Sequence, residues 1–309
     1  MKRSLILALA AAAATATWPL QAQPSGPFTL VEKGEAFATL QEAVDAIGRG
    51  SGTIRIAPGR YGDCAVQEAG RIAYVAERRG EAVFDGGACE GKATLVLKGK
   101  GARVEGLVFT RVRVPDGNGA GIRLQDGDLA VSYSLFSDGE SGILSHDGPP
   151  GSIEVDHSTF SGLGENDGVH SIYIGRYGSL RVTNSRFERG RGGHYVKSRA
   201  PRLEVLDSSF DDSRGRRTNY LIDISNGAAG RIAGNVFVHG TGKENYSTMI
   251  SVAPEGAENR SAGLVIENNV ASVAPGFRWS TTFVGDWSGE RLEIRNNRLG
   301  PKIEMFGRR

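Results

Sequence analysis

The chain has 309 residues, and its formal charge of +2 is carried by Lys2 and Arg3; without them 35 basic side chains face 35 acidic ones. That balance offers no electrostatic footprint for nucleic acid, and no phosphate loop or nucleotide-binding motif is present. Glycine supplies 44 residues, about twice the usual ~7 %, yet Val, Ile and Leu recur too regularly for a disordered chain, so this is a folded chain that turns often.

In chain order, the basic pair Lys2-Arg3, the apolar run from Leu5 to Ala14 and the small residue Ala22 read as a secretory signal peptide over 1–22. No later stretch approaches the ~20 apolar residues of a membrane span, and the expectation is a periplasmic or secreted protein with one domain over 23–309. A short strand at Phe28–Val31 precedes Phe37, Leu40, Val44 and Ile47, whose spacing predicts an amphipathic helix over about 37–48. Thr39 and Glu42 supply a capping box, and the helix suits a lid on an open sheet end. Strand follows strand from Thr53 to Leu97. The two cysteines, Cys64 and Cys89, predict a disulfide in an exported protein.

From Arg103 the chain repeats. Val104–Phe109, Val131–Phe136, Val155–Phe160, Val182–Phe187, Val205–Phe210 and Ile232–Phe237 share an apolar start and a Phe end, and Val265–Val270 and Ile294–Leu299 follow more loosely. The ends fall 23 to 33 residues apart. Two positions before each end stand Leu107, Ser134, Ser158, Ser185, Ser208, Asn235, Asn268 and Asn297. Such a period in strands and turns predicts a solenoid, and its length fits an all-β, right-handed parallel β-helix better than a leucine-rich repeat or a propeller. Coils would then stack about 4.8 Å apart, which places Cys64 and Cys89 within bridging reach.

The second strand of each coil aligns on Ile122, Ile143, Ile172, Val196, Ile222, Ile250 and Phe283. Side chains alternate along a strand, so Arg123, Leu144, Tyr173, Lys197, Asp223, Ser251 and Val284 form one outward row. His146, Gly175 and Arg199 fall in the next, with His170, His194 and Tyr220 just before the strands. Tyr195 is expected outward beside Lys197. Arg176 opens a basic stretch reaching Arg217, with eleven basic residues against five acidic ones, which suits an anionic partner.

The segment Phe37–Ile47 followed by Ile54-Arg-Ile-Ala-Pro-Gly-Arg-Tyr61, continued by the Val-x-x-Ser-x-Phe coils, resembles the pectate-lyase-like β-helix superfamily over about 35 to 300. The resemblance implies an exported polysaccharide-acting protein. The first expectation is a lyase on an acidic, uronate-containing polysaccharide. β-Elimination requires a cation on the uronate carboxylate, a base for the neighbouring C–H and an acid for the leaving oxygen. Lys197 and Arg199 suit the first or second task, with a lowered Lys197 pKa expected from the neighbouring guanidinium. His170 or His194 suits the base, and Tyr173 the acid. Tyr195, Arg176, Asp223, His146 and Arg123 are candidate substrate-binding residues. No metal is expected, since no cluster of three acidic side chains is evident, although lyases of the superfamily often use calcium. The alternatives are a non-catalytic exopolysaccharide-binding module and a glycoside hydrolase. For the hydrolase, Asn166-Asp167-Gly168 and His194-Tyr195-Val196-Lys197 are faint parallels to polygalacturonases whose paired-carboxylate motifs are otherwise missing. The excursions Asp211–Asn219, Gly240–Tyr246 and Pro254–Ser261 are candidate walls of a groove, with plain insertion between coils the alternative and the favoured reading for the last, and Trp279 and Trp287 read as packing over the final coil.

Overall fold

The structure is a computed structural model that describes residues 26–148, 151–166 and 168–309; the expected leader and Asp167 lie outside them. Three long sheets of 12, 10 and 10 strands run side by side, each coil adding one strand to each sheet. Phe28–Leu30 pairs antiparallel with both Glu35–Phe37 and Ser51–Ile56, and every later pairing in these sheets is parallel. This is the parallel β-helix that the repeat predicts.

The corner between the first and second sheets explains the repeat. One residue per coil takes a left-handed φ, among them Tyr133 at 51°, His157 at 45°, Asn184 at 49° and Asp207 at 50°. Asn and Asp tolerate this region through their short polar side chains; Gly106 and Gly234 take it without steric cost. The next residue carries the Ser or Asn. The Ser134 N–H donates to Ser158 Oγ at 3.2 Å, Ser158 to Ser185 at 3.1 Å, and Ser185 to Ser208 at 3.0 Å. Each of these four hydroxyls in turn donates to the carbonyl two residues before it. Asn235, Asn269 and Asn297 continue the column. The sequence register placed Asn268 there; Asn268 instead holds the corner at φ 55°, and Ala271 rather than Val270 lies opposite Phe237. Asn fits both positions, so a doublet leaves the register ambiguous.

The bore is filled by a phenylalanine column. Phe84, Phe109, Phe136, Phe160, Phe187, Phe210 and Phe237 stack with ring centroids 4.7 to 5.7 Å apart, close to the strand spacing of about 4.8 Å. Burying each ring contributes roughly 1.5–3 kcal/mol. The N-terminal end is closed by the helix Leu40–Ile47, whose capping box is formed as expected and which buries Leu40, Ala43 and Val44. Cys64 and Cys89 are bridged, with Cα atoms 5.5 Å apart. No helix among the described residues is long and apolar enough to cross a membrane.

Candidate functional site

The site lies on the outer face of the third sheet, where strands Ile172–Ile174, Val196–Ser198, Ile222–Ile224 and Thr248–Val252 are paired side by side. Ile172, Ile174, Val196, Ile222 and Ile224 are fully buried in the bore. Alternation therefore turns Tyr173, Lys197, Asp223 and Ser251 outward in one row, each directly beside the next. The next coil pairs Ile250 with Val284, not Phe283, so Gly285 ends the row.

Lys197 is the hub. Its ammonium donates to Asp223 Oδ2 at 2.8 Å and to Glu255 Oε1. Asp223, 1 % exposed, also accepts from Ser225 Oγ at 2.9 Å and Ser251 Oγ at 2.8 Å. Arg199 donates through Nε to the Tyr173 hydroxyl at 2.9 Å, through Nη1 to Asn226 Oδ1 at 2.6 Å, and through Nη2 to Glu255 Oε2. Glu255 thus offers one carboxylate oxygen to each cation. Burial alone would lower the Lys197 pKa, but Asp223 and Glu255 outweigh it and the pKa is raised. This reverses the expected lowering by Arg199: two carboxylates touch the ammonium, whereas the guanidinium turns to Tyr173, Asn226 and Glu255. Lys197 is a held cation.

A second column flanks the row. The rings of His170 and His194 stack 4.9 Å apart, and His194 stacks on Tyr220 at 5.3 Å. The N–H of His194 donates to His170 Nδ1 at 3.0 Å, and the N–H of Tyr220 donates to His194 Nδ1 at 3.1 Å. With both Nδ1 atoms accepting, the neutral rings carry their proton on Nε2. Burial, then the neighbouring His194 ring and the Lys197 charge, hold His170 well below its ordinary pKa; burial, Lys197 and Lys243 lower His194 to about 3. His194 Nε2 points at Asp223 Oδ2, 3.5 Å away. The imidazoles are therefore neutral N–H donors with no free ring lone pair to take a substrate proton.

The remaining predicted residues divide. Tyr173 is half-buried, with Arg199 on its hydroxyl and the His170 ring edge-on at 5.5 Å. Tyr195 is not on this face at all. It precedes the strand, where alternation does not hold, and it packs in the bore between Phe187 and Phe210 with its hydroxyl donating to Asp212 Oδ1 at 2.8 Å. Arg123 shares the outward row but lies beyond Leu144. His146 is exposed and turned to its own loop. Arg176 reaches the site indirectly, clamping Asp147 and Glu258. That last contact corrects the reading of 254–261 as plain insertion: Glu255, Glu258 and Asn259 fasten it over the site, Asn259 Nδ2 donating to the Arg199 carbonyl at 3.1 Å.

Glu255 and Asn226 are the residues that sequence reasoning missed. So is a second buried cation: Lys243, whose side chain is fully buried, pairs with Asp212 Oδ2 at 3.1 Å. Trp279 stacks on Tyr246 at 4.8 Å and stays 42 % exposed, while Trp287 leans on Tyr220. Among the described residues no group of three or more His, Cys, Asp or Glu side chains is placed to hold a metal ion. Compared with family models, curated proteins and solved structures, the chain matches none. Its parallel β-helix architecture is compatible with proteins that act on polysaccharides.

Proposed function

We propose that the chain acts on a uronate-containing polysaccharide and cleaves it by β-elimination on the outer face of the third sheet, as the resemblance of its opening segment to pectate-lyase-like proteins suggests. The observation that carries this reading is the convergence of Lys197 Nζ, from the strand Val196–Ser198, and Arg199 Nη2, from the residue just past its end, on the two oxygens of a single carboxylate. A uronate carboxylate requires the same arrangement: two cations draw off its charge, and the C–H beside it becomes acidic. Tyr173 is the proton-transfer group. Arg199 occupies one lone pair of its hydroxyl, which leaves the phenolic O–H directed elsewhere. In the elimination the remaining lone pair of the Tyr173 oxygen takes the C5 proton as its own O–H proton passes to the leaving oxygen; the C4–O bond breaks with its electrons on that oxygen, C4=C5 forms, and the Tyr173 hydroxyl is restored. In this reading His170 and His194 are not bases: His194 Nε2 faces Asp223 Oδ2 at 3.5 Å, and His170 stacks on His194. Coils about 4.8 Å apart also match the length of one sugar ring, about 5 Å, along the solenoid.

The alternative of a non-catalytic module binding the same polysaccharide is favoured by one observation, that neither imidazole has a free lone pair. The test is a panel of uronate polysaccharides followed by ultraviolet absorbance of the unsaturated uronate end, by reducing ends, and by calorimetric binding. Rising absorbance that Lys197→Ala abolishes supports the lyase. Binding without absorbance or new ends selects the module, and new ends without absorbance select hydrolysis.

A further inference from the structure

The Glu255 carboxylate sits where the proposed substrate carboxylate would sit. We infer that Glu255 is a displaceable occupant of the carboxylate subsite, so that an anionic sugar enters by exchange and a neutral sugar does not. This rests on the reading above and adds how the site selects its ligand.

Four observations carry it. First, exposure is unequal: the Lys197 and Arg199 side chains are 8 % and 18 % exposed, and Glu255 is 41 % exposed. The cations are built in, and the carboxylate approaches from outside. Second, the cations keep their places without Glu255. Asp223, fixed by Ser225 and Ser251, holds Lys197, while Asn226 and Tyr173 hold Arg199. Third, Glu255 can leave by side-chain rotation alone, because its backbone stays tied through its N–H to the Ser225 carbonyl at 3.0 Å, and Gly256 beside it, at φ 123°, has no neighbour within 4 Å of where a Cβ would stand. Fourth, the charges set the selection. Lys197 and Arg199 are balanced by Asp223 and Glu255, so departure of Glu255 leaves one uncompensated positive charge in a largely buried site. A second carboxylate restores the balance, and a hydroxyl does not. Burial would raise the Glu255 pKa, but hydrogen bonds from Lys197 and Arg199 lower it, so protonation in mild acid does not vacate the subsite and a competing anion is needed.

The experiment titrates short oligo-uronates, and the same oligosaccharides with their carboxyls reduced to alcohols, into wild-type protein, Glu255→Gln and Lys197→Ala. The expected result is that Glu255→Gln binds oligo-uronates tighter than wild type by on the order of tenfold, that the reduced sugars bind no better to the variant, and that Lys197→Ala loses uronate binding. Equal or weaker uronate binding by Glu255→Gln, with wild type still binding, overturns the exchange and leaves the uronate reading standing. No uronate binding by either protein overturns the uronate reading itself. A second measurement uses acetate on Glu255→Ala and monitors thermal unfolding. Acetate should raise the unfolding temperature of the variant and leave wild type unmoved; an unmoved variant overturns the inference even where the sugars are too weak to titrate.

Discussion

Two lysine–aspartate pairs sit within a few coils of each other and behave in opposite ways. Lys197 and Asp223 lie on the outer face of the third sheet, and Lys243 and Asp212 are sealed inside, both side chains 0 % exposed. Burial is the leading influence on both ammoniums. At Lys197 it is outweighed by two carboxylates and the pKa rises; at Lys243 a single carboxylate does not offset complete burial and the pKa falls. The inner pair is closed: Asp212 accepts from Tyr195 and Thr218 at 2.8 Å each, and Lys243 also reaches the Asn219 carbonyl. It locks the 240–246 excursion to the coils beneath. The outer pair has a third member, Glu255, that solvent reaches. One chemical pair thus serves as a fastener where nothing can replace its partners, and as a recognition site where something can.

Breaking the inner pair should cost most. Asp212→Ala leaves a buried ammonium and two hydroxyls without their acceptor, and unfolding in urea should show a loss of about 3–5 kcal/mol. The same change at Asp223 should cost less, about 1–3 kcal/mol, because Glu255 still compensates Lys197. Equal losses would erase the distinction between fastener and site.

Acid sharpens the comparison, because both lysines press on histidines. Burial with the Lys197 and Lys243 charges lowers His194 to about 3, and burial with Lys243 lowers His239 to about 3 as well; His170 is also lowered. A folded pKa below the unfolded value means that the unfolded chain binds more protons between about pH 3 and pH 6.5, so stability falls as pH falls through that window. Between pH 7.5 and 5 the unfolding free energy measured in urea should drop, by about 1–2 kcal/mol for each histidine involved, before most carboxylates titrate. His239→Gln should reduce the drop. The smallest effect is expected at Arg176→Ala, which removes exposed bridges to Asp147 and Glu258; solvent screens such bridges, so the urea unfolding curve should stay where it is, with the change in the 254–261 segment visible as faster local hydrogen exchange.

The β-helix was legible in the sequence because its physics is local and repeated. A left-handed corner, a hydrogen-bonding Ser or Asn and a Phe for the bore recur at nearly constant spacing, and misplacing Asn268 shows how little is needed to slip one register. Lys197 beside Asp223 was legible for the same reason, since equal positions on successive coils touch. Tyr195 was misread because alternation applies only within the extended strand, and the chain enters this one through a turn at Gly193, φ 56°. Glu255 was invisible: it meets Lys197 and Arg199 from 58 and 56 residues away, through an insertion outside the repeat.

The most direct test is titration of an oligo-uronate into three proteins: wild type, Lys197→Ala, and Arg231→Ala, which removes an exposed arginine of the first sheet paired with Glu267. If the third-sheet row is the carboxylate site, wild type and Arg231→Ala bind alike, and Lys197→Ala binds at least tenfold more weakly, by about 1.4 kcal/mol or more. Undiminished binding by Lys197→Ala, or its loss in Arg231→Ala, would contradict the account.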